Sequence, residues 1–391
     1  MLPGQRVVIT GFLMSLVVYF AIGFGHYFRL RYLRNIPSLA YVLLLFTVAC
    51  WTLTGLSFFC DAYRLPVLAY VTATAQVSRS DHFYTIVRGV EAQMPGPPEV
   101  LRATGAGSVI LVACNGGGIQ SAAWTAKVLT ELDRYSRTVP GLSKELFAKS
   151  VRAISSVSGG SVGAMHFAAA YQKDGGLPGT NNSLDSVILG AEASSLNEIV
   201  WGLVYPDLWR TLTPFRWTRF SDRGNALERS LIRALPCAGE RLGTWREMVA
   251  SGERPANLFN ATLTESGGRF LITNADFRKP HEACSQFYGL YKGWDLAVVT
   301  AARLSATFPF ITPAARPDDT SVAPFHVVDG GYYENYGMAT LAEWLWEGIE
   351  TEGNPIRRVL VLQIRGFPPD PPDRPIANAD GSTSSTHRLK P

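Results

Sequence analysis

The chain has 391 residues, of which 47% are hydrophobic and only 17% charged, against a usual charged quarter. A length of this kind suits one large α/β domain with additions or two average domains. The net charge of +4 lies along the chain without long basic runs, which argues against nucleic acid as a partner, while the apolar balance points to membrane contact rather than disorder; five cysteines (Cys50, Cys60, Cys114, Cys237 and Cys284) with no C-x-x-C spacing suggest neither a disulfide framework nor a zinc site.

Val7 to Gly25 and Leu39 to Cys60 are uncharged and rich in Leu, Val, Ile and Phe, and each as a helix is long enough to cross a hydrocarbon core of roughly 30 Å. They predict a transmembrane hairpin over 1–60, with the lipid bilayer as partner. A cleaved signal peptide followed by a buried helix is the alternative, but the first apolar run is longer than a signal core, only Arg6 precedes it, and a second span follows at once. Orientation stays open, because Arg29, Arg31 and Arg34 in the loop are matched by Arg6, Arg64 and Arg79 at the outer ends.

Residues 61–107 read as a juxtamembrane connector, with a short helix over Asp81 to Ala92 and a break at Pro95-Gly-Pro-Pro98. A globular domain, 108–366, follows. Ser108 to Cys114 is a continuous apolar run of strand length, suited to a parallel sheet buried on both faces. It leads into Asn115-Gly116-Gly117-Gly118-Ile-Gln120-Ser121 and a helix from Ala122 to Tyr135. The pattern repeats at Val151 to Ala164, where a strand meets the small residues Ser156-Val-Ser158-Gly-Gly-Ser161-Val-Gly163 before another apolar helix. That is the outline of a nucleophile elbow, in which a serine projects from a tight strand-to-helix turn. Ser161 sits in a literal G-x-S-x-G, whereas Ser158 stands at the end of the strand.

Farther on, Leu196 to Phe220 interleaves Trp201, Tyr205, Trp209, Phe215, Trp217 and Phe220 with Arg210, Arg216 and Arg219. Such a segment suits a lid or membrane-interface surface, although core packing is the simpler expectation for large aromatics. Asn257 to Leu263 and Arg269 to Thr273 predict a hairpin turned at Glu265-Ser-Gly-Gly268. A helix over Leu296 to Leu304 ends at Phe308-Pro309, and a strand at Phe325 to Val328 leads into Asp329-Gly330-Gly331. After a helix from Met338 to Glu350 comes Arg358 to Ile364, read as a further buried strand; the Pro-, Asp- and Ser-rich 367–391 is expected to be a disordered tail.

Three glycine turns, each after a strand, would converge at one edge of a parallel sheet. They hold what acyl transfer requires: a serine, a base, and unobstructed backbone N–H groups for the oxyanion. Gly116, Gly117 and Gly118 are the candidate donors and Asp329 the candidate base. Other readings fit less well. The first turn lacks the third glycine of a dinucleotide fingerprint and the Lys of a P-loop. A triad through His281 or His326 is conceivable, but His326 lies three residues before Asp329 on a strand, and His281 with Cys284 lacks partners at metal-ligand spacing.

From Ser108 to Ile364 the order of these motifs resembles the patatin-like phospholipases and the related cytosolic phospholipase A group. Cys114-Asn-Gly-Gly-Gly-Ile-Gln-Ser121 is similar to the family's oxyanion motif, with Asn115 at its acidic position, Gln120 at its basic one and Ser121 at its last glycine. Ser156-Val-Ser158-Gly-Gly-Ser161 resembles the elbow of the phospholipase A branch, with Ser156 where glycine is usual. Asp329-Gly-Gly, approached through Ala301-Ala-Arg-Leu-Ser-Ala-Thr-Phe-Pro309, is similar to the family's aspartate motif. The resemblance implies a three-layer α/β/α domain around a mainly parallel sheet. It also implies a Ser158 and Asp329 dyad without histidine, no cofactor, and phospholipid or lysophospholipid esters as substrate. The same dyad could deliver the acyl group to an alcohol other than water, and the departures at Asn115, Gln120 and Ser156 keep a catalytically silent membrane scaffold as the reading from another class.

Overall fold

Alternate residues of Ser108–Cys114 feed two different cores. Val109, Leu111 and Ala113 join Ala153, Leu258, Leu341 and Trp344 on one side, while Val112 and Cys114 join Ile154, Leu129 and Phe167 on the other. A strand that buries both faces has no polar face to keep, which is why this run is apolar throughout.

The computed structural model describes residues 81–89, 94–103, 108–139, 146–207, 222–235, 239–278, 284–309, 311–350 and 356–366, with parts of 43–52 and two short pieces after 375. The strands, in chain order, are β1 (His82–Tyr84), β2 (Val87–Arg88), β3 (Ser108–Cys114), β4 (Val151–Val157), β5 (Ala256–Leu263), β6 (Arg269–Thr273), β7 (Cys284–Gln286), β8 (Trp294–Asp295), β9 (Ala315–Pro317), β10 (Val327–Asp329), β11 (Arg358–Ile364), β12 (Ile376–Ala377) and β13 (Thr383–Ser384). The helices are α1 (Pro97–Arg102), α2 (Gly118–Thr138), α3 (Phe147–Ser150), α4 (Gly159–Ala169), α5 (Asn181–Glu192), α6 (Leu196–Gly202), α7 (Arg223–Ala234), α8 (Leu242–Ala250), α9 (Phe287–Leu290), α10 (Val298–Ser305) and α11 (Met338–Ile349).

β11, β3, β4 and β5 are neighbours in one parallel block, and β6 pairs antiparallel with the far edge of β5. Helices α2, α4 and α5 pack together on one face, while α1 and α11 pack together on the other. The domain is therefore a helix-sheet-helix sandwich of the α/β class. The hairpin expected around Gly268 is present, with Leu263 N bonded to Gly268 O at 3.1 Å.

The register along β5 organises everything near the site. Residues 256–260 of β5 pair with β4, and 261–263 pair with β10 running the opposite way. Since β6 pairs with 258–262, both must occupy the remaining edge of β5. β4 and β10 thus stop head to head: Val157 pairs with Asn260 and Asp329 with Ala261. The expectation of three turns at one edge of a parallel sheet is corrected here. The aspartate turn arrives on a strand antiparallel to β5 that runs toward the end of β4.

Other expectations are revised as well. Asp81 to Ala92 contains two short strands rather than a helix, and β1 adds to the central sheet through β9. With Val100 and Leu101 of α1 buried in the core, both elements of the former connector contribute to the domain. β11 ends the sheet on the β3 side, and Leu360 and Val361 are 59% and 41% exposed, so it is an edge strand rather than a buried one.

Val7 to Gly25 lies outside the described residues. Within the second expected span the described residues of 43–52 are helical, and Leu43, Leu44, Phe46, Val48 and Trp51 are exposed. Among the described residues, Asn181–Asp207 is the one helical stretch long and apolar enough to cross a membrane, with mean hydropathy 1.3. It is broken after α5, where Ala193 is extended (φ −58°, ψ 121°), and α5 packs on α2. The tail 367–391 lies outside the described residues except for β12 and β13, which pair antiparallel.

Candidate active site

Ser158 follows the last paired residue of β4 and precedes α4 directly, and it is the one non-glycine residue among those described with positive φ (53°). The helix can begin so close behind the strand because Gly159 carries no side chain: a Cβ there would lie 1.9 Å from the carbonyl oxygen of Gly118. Such strained serines project the hydroxyl away from the backbone. Ser158 is partly exposed and lines a cavity of about 670 Å3.

Asp329 lines the same cavity and is 2% exposed. Gly330 lets its turn close onto β5, since a Cβ would come within 2.2 Å of Asn260 O. Asp329 Oδ1 accepts the Gly331 N–H at 2.7 Å. Oδ2 is buried and makes no hydrogen bond of ordinary geometry among the described residues. Burial pushes the carboxyl pKa above its usual value; the nearby Ser158 hydroxyl and the Gly331 amide pull against this without cancelling it. A carboxylate moved upward is better matched to taking a proton from a serine.

Of the three glycines that lead into α2, Gly117 and Gly118 line the cavity. Both have positive φ, 156° and 62°, and at the start of a helix the first N–H groups lack intrahelical acceptors. Gly116 serves another purpose. Its N–H donates to Asn335 O at 3.0 Å, and a Cβ would lie 2.1 Å from Asn335 Oδ1. The spacing of three consecutive glycines did not separate these roles. Gly159, next after the serine, also lines the cavity and adds a third N–H in the position where nucleophile elbows carry one.

Ser161 is placed elsewhere. It is fully buried, its Oγ lies 2.7 Å from Ser305 Oγ and 3.0 Å from Ser156 Oγ, and it does not line the cavity. Asn115 is buried with its Oδ1 unpartnered, while its backbone donates to Ile364 O and accepts from Ser121 Oγ. An uncharged amide suits that spot, because an aspartate would be a buried charge without a partner. Gln120 points away and donates to Gly366 O at 3.3 Å.

No histidine among the described residues lines the cavity. His326 pairs with Glu265 at 2.7 Å on the surface. His281 lies outside the described residues. His166, on α4, was not singled out from the sequence; it is buried, its Nε2 has no hydrogen-bond partner, and burial pushes its pKa down to about 4. No cluster of three potential metal ligands occurs among the described residues.

The cavity walls are apolar, with Val162, Ile199, Leu227 and Leu231 inside and Asp329 as the lone charged residue. At its rim Ile119, Leu196, Phe308, Ile311 and Tyr332 stay between 36% and 55% exposed, and Phe308 stacks on Tyr332 with centroids 6.4 Å apart. Trp201 and Tyr205 lie just beyond α6's cavity-lining residues and are exposed too, so the described aromatics of the Leu196 to Phe220 segment are surface rather than core; Trp209, Arg210, Phe215, Arg216, Trp217, Arg219 and Phe220 lie outside the described residues.

Comparison with known proteins is consistent with this geometry. A family model described as Patatin-like phospholipase matches residues 112–342. No curated protein matches the chain.

Proposed function

Since the chain belongs to the patatin-like phospholipase family, we propose that it is a membrane-anchored lipid acyl hydrolase in which Ser158 and Asp329 form the catalytic dyad. The observation that carries this reading is the pair's shared position in the lining of one apolar cavity, beside the N–H groups that open α2 and α4.

In this mechanism the Ser158 hydroxyl attacks the ester carbonyl and passes its proton to Asp329. The carbonyl oxygen becomes negative and is held by the N–H groups of Gly117, Gly118 and Gly159, each preplaced at no reorganisation cost. Collapse of the tetrahedral intermediate releases the alcohol, which takes the proton from Asp329. Water then attacks the acyl-serine with Asp329 again as base, releasing the fatty acid and restoring the serine. A long acyl chain would lie along Val162, Ile199, Leu227 and Leu231, which suits phospholipid or lysophospholipid esters. Anchoring by Val7 to Gly25 and Leu39 to Cys60 would hold the cavity near its substrate and raise the effective lipid concentration.

The test is fluorophosphonate labelling of the full chain in detergent. Ser158→Ala should abolish labelling and Ser161→Ala should retain it. Absence of labelling in folded wild-type protein would count against the hydrolase and in favour of a silent scaffold.

A further inference from the structure

The nucleophile's backbone conformation needs support from outside its own strand. With φ 53° and ψ −126°, Ser158 occupies a region that costs about 1–3 kcal/mol unless its surroundings hold it. Val157 is the last β4 residue paired with β5, so the Ser158 N–H lies past the ladder. It donates instead to Ser305 Oγ at 3.1 Å.

Ser305 is the last residue of α10, fully buried, and its hydroxyl is saturated. It donates to Asn260 O at 2.5 Å and meets Ser161 Oγ at 2.7 Å, and Ser161 Oγ lies 3.0 Å from Ser156 Oγ. Each hydroxyl carries one proton. Ser305 gives its proton to the Asn260 carbonyl, and the Ser161 hydroxyl, which donates to Ser156 Oγ, packs against the Ser305 oxygen. The three hydroxyls form one buried cluster tied to Asn260 through Ser305, and the Ser158 N–H enters it at Ser305.

Two residues farther along, the same segment holds the base: Asp329 N donates to Thr307 O at 2.9 Å. Both members of the dyad are therefore pinned by their backbone amides to a bracket of three residues, Ser305 to Thr307. Asn260 ties the bracket to the sheet, its Nδ2 donating to Ser155 Oγ and Ser156 O and its Oδ1 accepting from Thr340 Oγ1 at 2.6 Å.

We propose that Ser305 is a positioning residue of the reaction, holding Ser158 at a set distance from Asp329, and that Ser161, packed against its hydroxyl, helps to hold it in place. Ser305 does not line the cavity and so has no contact with substrate. The serine at 156, where the resemblance implies glycine, supplies the oxygen that accepts the Ser161 hydroxyl. The inference rests on the Ser158 and Asp329 reading above.

The test uses the full chain in detergent with a p-nitrophenyl ester and a fluorophosphonate. In Ser305→Ala, kcat and the labelling rate should fall on the order of 10- to 100-fold while KM stays within about twofold. Ser305→Thr, which keeps the hydroxyl, should recover most of kcat, and Ser161→Ala, which leaves the Ser158 N–H its acceptor, should show a smaller loss at unchanged KM. A merely structural serine would lower Tm yet leave kcat, measured well below Tm, at the wild-type value; that result overturns the proposal, as does equal impairment of the Ala and Thr variants. If Ser305→Ala does not fold, wild-type kcat in Ser161→Ala overturns it. Ser158→Ala separates the two readings: persistent labelling there means the dyad itself is wrong, whereas no labelling there with wild-type labelling in Ser305→Ala removes the bracket alone.

Discussion

Gly116 and Asn335 are joined twice, by the Gly116 N–H on Asn335 O at 3.0 Å and by a Cα packed so closely that a Cβ would lie 2.1 Å from Asn335 Oδ1. The contact ties the turn that opens α2 to the turn after Asp329. Gly116→Ala must displace the Asn335 amide or shift the glycine turn that opens α2. Ester hydrolysis should fall about 10- to 100-fold, and urea unfolding should show a loss of about 1–3 kcal/mol.

Asp329 gives the activity a predictable pH dependence. In the proposed mechanism only its carboxylate accepts the serine proton, and burial raises its pKa, so the acid limb of kcat/KM should lie above the ordinary Asp value of about 3.9. Activity is lost as pH falls through that limb. A profile flat down to the ordinary value would exclude Asp329 as the base.

Stability follows the same residue with a sign of its own. A carboxyl whose pKa is higher folded than unfolded binds protons more tightly in the folded state, so stability declines as pH rises from the ordinary carboxyl value through the folded pKa, and the cost is fully present above it. Asp329→Asn should therefore raise Tm at pH values above the folded pKa, by an amount that shrinks as pH is lowered from there to the ordinary carboxyl value. Its activity should drop about 10²- to 10⁴-fold.

The depth of the cavity should set chain-length preference. Leu231 lies on its inner wall and is 5% exposed. Leu231→Trp shortens the space, and each methylene kept out removes about 0.8 kcal/mol of binding. In a series of p-nitrophenyl esters, long chains should lose kcat/KM steeply while the acetate is hardly affected.

Ser156→Gly restores the small residue that the resemblance implies. Here it removes a hydroxyl bonded to Ser161 and places glycine inside a central strand. The variant should be less stable by about 1–2 kcal/mol in urea unfolding, with no gain in activity.

Much of this was visible in the chain itself. Ser108 to Cys114 is mostly apolar and Val151 to Val157 buried throughout because these strands lie between two helical layers, and Ser158 follows its strand while Asp329 ends its own. What was hidden depends on register and partners. Arg358 to Ile364 looks as buried as its neighbour, because composition does not report which strand lies at the edge. The three glycines from Gly116 look alike until Asn335 engages one of them. Trp201 and Tyr205 suggest core, yet lie on the surface beside the cavity rim. Ser305, 147 residues beyond Ser158, carries no motif, and only its hydrogen bond to the nucleophile's amide distinguishes it.

The head-to-head ending of β4 and β10 on Asn260 and Ala261 makes motif content and competence separable properties. A single residue inserted between those two positions would leave the glycine turn, the elbow and the aspartate turn intact as written. It would also push the two strand ends apart by about one 3.3 Å step and turn alternate β5 side chains to the opposite face. Natural relatives with an altered spacing at this joint would keep every signature of an acyl hydrolase and have no working dyad, so the length of β5 is as diagnostic of activity as the serine it aligns.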